Sequence, residues 1–482
     1  MESNSTETNS VTTVGIDAVT NIAESPVSVD DLISNFTTTI KERPEWLFID
    51  DHDKEKVDIP ALAKEIMKES RMITYPNFPY PLQYNVKGGY WQNFDIDKYT
   101  AKIATEKLQR VGKWTTKAVK DTSYNVSINC YQAGNHMTPA EVIKTDKVAF
   151  NNGVYNFDTG KLEAHDPDLM LLHGHDYNLK MHGEAVKTKQ WLADLTGQSL
   201  TYIMELIGSC FYHGMPFQEL TILSGEGSNG KSTLLNHITS MLGMSNISSV
   251  ALEQFADKNN RFATSSVYLK EANIFADIDS KYLDKISVIK ALTGDDTILI
   301  EFKNKNPFSY KSFAKLIFSA NELPSFKANT HGDTRRFKIV PLETKITKEF
   351  ISKHDLKAIE QEIPIFAYEC LEMFRKCLER GHTSESERMA EVKEQWLERN
   401  NPVERFLTDE CIRDARKVGR SVTYVYSRYR TYCANEGIKC MSKQKMTTEL
   451  EKAGYDRLRT VRNGKRAWRF INLDMQDTDK YD

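Results

Sequence analysis

Residues Glu219–Leu242 constrain the fold of this chain more than any other stretch. They read Glu-Leu-Thr-Ile-Leu-Ser-Gly-Glu-Gly-Ser-Asn-Gly-Lys-Ser-Thr-Leu-Leu-Asn-His-Ile-Thr-Ser-Met-Leu. Leu220–Leu223 is a short apolar run of the kind a buried parallel strand uses. From Lys231 on, Leu234, Leu235, Ile238 and Leu242 recur on one helical face. Between the two, Gly225, Gly230, Lys231 and Ser232 have the spacing of a phosphate-binding P-loop. Strand, glycine loop and helix in this order predict an α/β fold. Such a loop turns backbone N–H groups and the helix's positive end toward a polyphosphate. The predicted cradle is Gly225, Glu226, Gly227, Ser228, Asn229, Gly230, Lys231, Ser232 and Thr233. Lys231 would reach the β- and γ-phosphates of ATP, and Ser232 would ligate Mg²⁺.

A chain of 482 residues, 40% hydrophobic and 27% charged, has room for roughly two to four domains. No run of about eighteen apolar residues exists, so no membrane span is expected. The N-terminus lacks a basic region followed by an apolar one, which argues against secretion and for the cytoplasm. Cys130, Cys210, Cys370, Cys377, Cys411, Cys433 and Cys440 make no Cys-x-x-Cys pair, so free thiols are expected rather than a zinc ribbon or redox motif. The net charge of −3 hides an asymmetry: Arg405–Arg469 holds 17 Lys and Arg against 7 Asp and Glu, net +10, leaving −13 for the rest. A basic module on an acidic body points to nucleic acid.

Residues 1–28, rich in Ser, Thr and Asn, read as a disordered lead-in. An N-terminal α/β region follows over 29–189, with helices expected over Asp58–Arg71 and Asp97–Val111 and a strand pair in Asn151–Phe157. The ATPase core is placed at 190–345, entered by a helical run over Lys187–Tyr212. Helices Glu349–Arg380 and Ser384–Glu398 fill 346–400, and Asn400-Asn401-Pro402 marks a boundary. The basic module then spans 401–475, with a tail at 476–482.

A P-loop needs a carboxylate on a neighbouring strand to hold the Mg²⁺ shell and orient water. Asn273-Ile-Phe-Ala-Asp277-Ile-Asp279 offers an apolar strand ending in two acids. Asp277 is the expected metal carboxylate, with Asp279 supporting it or polarising the attacking water. Leu316–Ala320 is another buried-type strand and ends at Asn321, whose amide can bond both the γ-phosphate and the water. Arg335 or Arg336, inserted at a neighbouring subunit's nucleotide, would stabilise charge on the transferred phosphoryl group.

The series Gly-Glu-Gly-Ser-Asn-Gly-Lys-Ser-Thr, Ala-Asp-Ile-Asp, Leu-Thr-Gly-Asp-Asp, Phe-Ser-Ala-Asn-Glu-Leu-Pro and Thr-Arg-Arg-Phe resembles the superfamily 3 helicases. More narrowly it is similar to the phage/plasmid and poxvirus primase–helicase family, and Gly88-Gly-Tyr-Trp91 and Phe150-Asn-Asn-Gly-Val-Tyr155 extend the likeness upstream. It covers residues 45–475. The resemblance implies a AAA+-type core, a hexameric ring, and ATP-driven translocation on single-stranded DNA, usually 3′ to 5′. It also implies that Leu292-Thr-Gly-Asp295 and Phe302-Lys303-Asn304-Lys305 flank or form a pore hairpin, offering Lys303, Lys305 and an aromatic to phosphates and bases.

In the basic module, Pro402–Asp414, Tyr424–Glu436 and Ser442–Ala453 are helical in period, with Ser442 a reasonable N-cap. Tyr455–Arg462 and Lys465–Ile471 alternate around Asn463-Gly464, a strong hairpin signal. Three helices and a basic hairpin describe a winged helix–turn–helix. Its third helix would enter a major groove through Lys443, Gln444, Lys445 and also Thr447. The wing would set Arg462, Lys465 and Arg466 against phosphate. Trp468, Phe470 and Tyr455 are expected in its core.

Two further patterns are set aside. Phe48-Ile-Asp-Asp-His-Asp53 lacks the additional carboxylates of a primase metal site. His173-Gly-His175 with Tyr177 lacks the spacing of a nicking endonuclease. The resemblance implies a replicative helicase of a phage, plasmid or genomic island that self-loads at origin duplex DNA, with the N-terminal region a collar or partner-docking domain and a separate primase or host proteins as partners. Two rivals are a DNA-binding regulatory ATPase without unwinding, which would not need the Lys303–Lys305 hairpin, and an origin-binding protein or repressor with a dead ATPase, against which Lys231, Asp277 and Asn321 argue.

Overall fold

The computed structural model describes residues 43–132, 137–257, 260, 262–278, 287–294, 296–303, 306–324, 334–399, 402–413, 419–436, 440–462 and 465–475. The lead-in and the tail expected from the sequence lie outside the described residues.

A wholly parallel five-stranded sheet forms the centre. In spatial order its strands are Ile247–Ser248, Ala272–Phe275, Lys315–Ala320, Leu220–Ser224 and Phe337–Pro341. Leu220 stands opposite Leu316 on one side and Phe337 on the other. A parallel sheet must be covered on both faces, and every residue of Lys315–Ala320 and Phe337–Pro341 is buried. Leu223, Ile274, Ile317 and Val340 point into a core shared with helices Val186–Thr196, Leu200–Cys210, Lys231–Leu242 and Ile363–Arg380. Leu220, Ile222, Leu316 and Ile339 point the other way, toward Phe255, Leu292, Tyr310 and Trp396.

Several long helical expectations are broken by local stop and start signals. The run Lys187–Tyr212 divides at Gly197, whose φ of 53° ends the helix Val186–Thr196. Glu349–Arg380 becomes Lys348–Lys353, Leu356–Gln361 and Ile363–Arg380. Asp355 caps the second with its carboxylate, and a proline in the first turn opens the third. The helix expected from Ser384 begins at Glu387.

Upstream, helices Ile59–Ser70, Ile96–Arg110 and Thr116–Asn129 each start on a side-chain cap, from Asp58, Asp95 and Thr115. They pack with the hairpin Leu47–Ile49/Glu55–Val57 around Leu62, Ile66, Leu108 and Val126. The strand pair expected in Asn151–Phe157 is Lys147–Phe150 with Gly153–Asn156, so that Asn151-Asn152 is the turn between them. Gly174–His175 joins the same sheet beside Lys147–Phe150.

The basic module has helices Pro402–Glu410, Val422–Asn435 and Lys443–Lys452, then the antiparallel pair Arg457–Arg462/Lys465–Phe470. The first helix stops four residues short of the expected Asp414, because Cys411–Arg413 pairs with Leu473–Met475. The Asn463-Gly464 turn lies outside the described residues. Among the described residues no helix is long and apolar enough to cross a membrane. All seven cysteines are free thiols, and Cys440 alone is exposed.

Candidate functional site

Two glycines set the loop's path. Gly230 adopts a φ of 76°, open to glycine at low cost, and the helix Lys231–Leu242 starts directly after it. A Cβ on Gly225 would lie 2.3 Å from the Leu342 carbonyl oxygen, so that position tolerates no side chain. The loop is also tied to the segment after the edge strand: Leu342 N donates to Ser224 O at 2.7 Å, and Ile346 N to Ser228 O at 3.0 Å.

Lys231 is the hub. Its ammonium donates to the carbonyl oxygens of Gly225 (2.6 Å) and Glu226 (3.1 Å) and to Asn321 Oδ1 (3.0 Å). Asn321 Nδ2 in turn donates to Asp277 Oδ1 at 2.9 Å. The strand Lys315–Ala320 lies between the loop strand and the strand leading to Asp277, so its terminal amide bridges cation and carboxylate. Burial holds the Lys231 ammonium below its ordinary pKa, partly opposed by the Asp277 charge. Asp277 itself has a φ of 61°, a strained conformation for a side-chain-bearing residue. Its N–H donates to Ser319 Oγ at 3.1 Å, and Ile278 N donates to Ser319 O at 2.9 Å. Ser319 lies inside the Phe-Ser-Ala-Asn-Glu-Leu-Pro series, but the sequence assigns it no role, since nothing local shows that its hydroxyl meets the turn at Asp277. These groups border an open cleft of about 560 Å³, with Gly227–Thr233 on one wall and Asp277, Ser319 and Asn321 on the other. Ser232 and Thr233 are exposed to it. Asp279 lies outside the described residues.

Arg335 and Arg336 are elsewhere. They precede the strand Phe337–Pro341, which runs parallel to Leu220–Ser224, and so they stand at the end of the sheet opposite the loop. Arg335 is exposed and donates to Gln218 Oε1 at 2.7 Å; Arg336 is half-buried and donates to Thr293 Oγ1 at 3.2 Å. Neither reaches the cleft of its own chain.

A hairpin, Thr297–Ile300 with Phe308–Lys311, occupies the expected pore segment. Lys303 is exposed in its connection, whereas Asp295, Asn304 and Lys305 lie outside the described residues. Phe302 is half-buried. It packs edge-on against Tyr80 and Tyr268, at 5.8 and 5.5 Å between ring centroids, and stacks with Phe308. Leu292 and Thr293 are fully buried.

In the basic module Lys443, Gln444 and Lys445 are exposed at the start of the third helix, where Ser442 Oγ accepts from Lys445 N. Thr447 corrects the expectation: it is buried, and its hydroxyl donates to the Lys443 carbonyl at 2.7 Å. Arg462 faces Lys465 in the hairpin ladder, and Arg466 is exposed. Phe470 and Tyr455 are core residues, but Trp468 is 49% exposed, against expectation.

A second polar cluster was not foreseen, at the N-terminal ends of the same strands. Glu271, fully buried before Ala272, lies 3.2 Å from both His175 Nε2 and His213 Nε2. His173 contacts the Leu269 carbonyl at 3.0 Å. Lys315 donates to the carbonyls of Tyr212, Gly214 and Phe313 at 2.7, 2.8 and 2.9 Å. Burial lowers the Lys315 ammonium to about 8 and, with the His213 charge, lowers His173 to about 3. For Glu271 burial alone would raise the pKa, but the charge and hydrogen bonding of His175 and His213 prevail and hold it at about 2. Among the described residues no group of three or more His, Cys, Asp or Glu is arranged to hold a metal ion. At the Phe48–Asp53 turn, Asp50 instead accepts from His52 N and Lys54 N and pairs with Lys56 at 2.7 Å.

The molecule is thus a mixed α/β protein built on a parallel sheet, with a loop-and-acid cleft at the strands' C-terminal ends. Residues 51–197 match the family described as D5 N terminal like, and residues 223–336 match a family of unknown function, DUF5906. The chain is 26% identical over 214 residues to the Acanthamoeba polyphaga mimivirus protein named "Putative helicase L207/L206", covering 42% of this chain and 22% of that one. It therefore spans about a fifth of the length of the curated relative it matches. Among solved structures it is similar to the NrS-1 C-terminal region in its A form apo structure, at 11% identity and a TM-score of 0.44 over 85% of this chain and 98% of that one. A second apo structure of that region (305-718) gives 12% identity and a TM-score of 0.42 over 87% of this chain and all of that one.

Proposed function

We propose that this chain is an ATP-dependent DNA helicase with a AAA+-type core, acting as a ring of subunits, a hexamer, at the replication origin of a phage, plasmid or genomic island. The observation that carries this reading is the continuous chain Lys231–Asn321–Asp277 across an open cleft. The D5 N-terminal-like region and the name of the mimivirus relative support the helicase class.

The residues fit Mg²⁺-ATP. Gly225 and Gly230 leave a cradle that a Cβ would spoil, the Lys231 ammonium rests on loop carbonyls within reach of the cleft, and Ser232 is exposed beside it. Bound Mg²⁺-ATP supplies the transferable phosphoryl group and a divalent counter-charge. Lys231 would exchange its contacts with Gly225 and Glu226 for β- and γ-phosphate oxygens. Ser232 and Asp277 would hold the metal shell, with Asp279 assisting. Asn321 would orient the attacking water and register loss of the γ-phosphate. Arg335, the more exposed of the arginine pair and remote from its own cleft, would serve the nucleotide of the next subunit. The three helices and hairpin of the basic module would act as a winged helix–turn–helix on origin duplex, through Lys443, Gln444 and Lys445 in the groove and Arg462, Lys465 and Arg466 on phosphate. Lys303 and Lys305 would track single-stranded DNA. The N-terminal region would serve as a collar or dock a separate primase or host replication proteins.

A DNA-binding regulatory ATPase is the second reading, favoured by the engagement of the Phe302 ring with Tyr80, Tyr268 and Phe308. Strand displacement on 3′-tailed and 5′-tailed duplexes, with wild type and Lys231→Ala side by side, decides between them. Opening of the 3′-tailed duplex that needs ATP and Lys231 is the expected result. Hydrolysis without opening of either duplex moves the regulatory reading ahead, and no hydrolysis at all sinks both.

A further inference from the structure

Trp468, like Tyr424 on the helix Val422–Asn435, is a large aromatic of the basic module that its core does not absorb. Phe406, Tyr429, Tyr432, Tyr455 and Phe470 are all buried there, while Trp468 is 49% exposed on the hairpin Arg457–Arg462/Lys465–Phe470. Cross-strand partners of an antiparallel pair project from the same face. Arg459 stands opposite Trp468 and Val461 opposite Arg466, so one face presents an indole between two arginines, with Val461 62% exposed beside them. Both arginines are exposed, and among the described residues neither forms an ion pair. The indole is also braced. The Arg457 guanidinium lies 4.9 Å from its ring centroid, and Arg457 Nε is held by Glu451 at 2.8 Å. One ring face is thereby backed by a fixed cation while half the side chain remains open.

We propose that this hairpin face is a stacking platform for unpaired nucleotides, with Trp468 receiving a base and Arg459 and Arg466 the flanking phosphates. This rests on the reading of the basic module as DNA-binding and specifies its substrate as unpaired strand, such as that at a duplex junction. Charge selects the occupant: Arg457–Phe470 carries six Lys and Arg and no Asp or Glu. The ring selects the strand, because an exposed π-face between cations is matched by an unstacked base, whereas the bases of an intact duplex present only their edges. A wing that serves duplex phosphates alone would need the arginines and no braced indole.

The test uses the full chain without nucleotide. Binding is followed by anisotropy on a thymidine oligonucleotide and on a duplex, and stacking by quenching of 2-aminopurine within a single strand. Trp468→Ala should weaken oligonucleotide binding about tenfold and abolish part of the quench, with duplex affinity changed less than about twofold. Trp468→Phe should retain most of both signals, and Arg459→Ala should weaken both ligands and flatten the salt dependence. Unchanged quenching in Trp468→Ala, or equal loss on both ligands, overturns the platform. Wild type that binds duplex without any quench also overturns it but leaves the duplex-binding reading intact; wild type that binds neither ligand defeats both. A shift in sedimentation of Trp468→Ala with unchanged quenching would make the face a protein contact instead.

Discussion

The two ends of the parallel sheet hold two polar clusters of similar composition and opposite character. At the C-terminal ends, Lys231, Asn321 and Asp277 border an open cleft, and Asp277 and Asn321 are exposed. At the N-terminal ends, Glu271, His175, His213 and Lys315 are sealed in the interior. Each cluster has a lysine and a carboxylate. In the open one the lysine leans on carbonyls that a ligand can replace; in the sealed one Lys315 has three carbonyl partners and no access. Polar groups in a low-dielectric interior stabilise only when paired. The same residue types therefore serve exchange at one end and fastening at the other.

This contrast predicts distinct mutational outcomes. The largest effect is expected at Lys231: replacement by Ala should cut ATP turnover on the order of 10²–10³-fold or more. The melting temperature should hold, since a partly desolvated cation is removed. Loss of stability equal to loss of turnover would erase the distinction between the two ends. Asn321→Ala comes next, with turnover down about 10²-fold and nucleotide affinity nearly retained in a fluorescent-nucleotide titration.

Glu271→Gln should do the reverse, lowering stability by about 3 kcal/mol in denaturant titration because His175 and His213 lose their buried carboxylate partner, with turnover per folded molecule little changed. Acid should act at the sealed end first. The His173 ring titrates near 6.5 when unfolded and near about 3 when folded, so its contribution is full above 6.5 and falls as pH drops toward 3. Glu271 adds a second loss between its ordinary 4.5 and about 2. Unfolding at pH 7, 6 and 5 should show this decline, and His173→Gln should make it shallower. The smallest effect is expected on the stability of Gly227→Ala, since no protein atom lies within 4 Å of a Cβ there: its melting temperature should hold, while Gly225→Ala, whose Cβ would meet the Leu342 carbonyl, lowers it.

Legibility in the sequence followed the same division. The loop, the acid strand and the Asn321 strand were readable, because each is a short contiguous pattern on one element. The sealed cluster was not, since His175, His213, Glu271 and Lys315 come from four separate segments and only folding brings them together. Ser319 shows a subtler limit, its role arising from the left-handed turn at Asp277 that no local pattern announces. Phe302 and Trp468 exchange places relative to expectation. Phe302 met an aromatic pocket completed by the distant Tyr80, and Trp468 fell on the part of the hairpin face beyond the buried Phe470, where half of it stays exposed. Alternation fixes which face a strand residue takes, whereas its neighbours decide whether that face is wet.

The strand Lys315–Ala320 belongs to both ends, and it behaves as a strut. Its foot is bolted by Lys315 to three carbonyls and by its own N–H to Glu271 O at 2.9 Å, and Asn321 sits at its head about 20 Å away. A strut anchored in this way does not slide. Displacement of Asn321 would therefore reach Asp277 directly through its amide, while Ser319 ties the same turn, Asp277–Ile278, to the anchored strand.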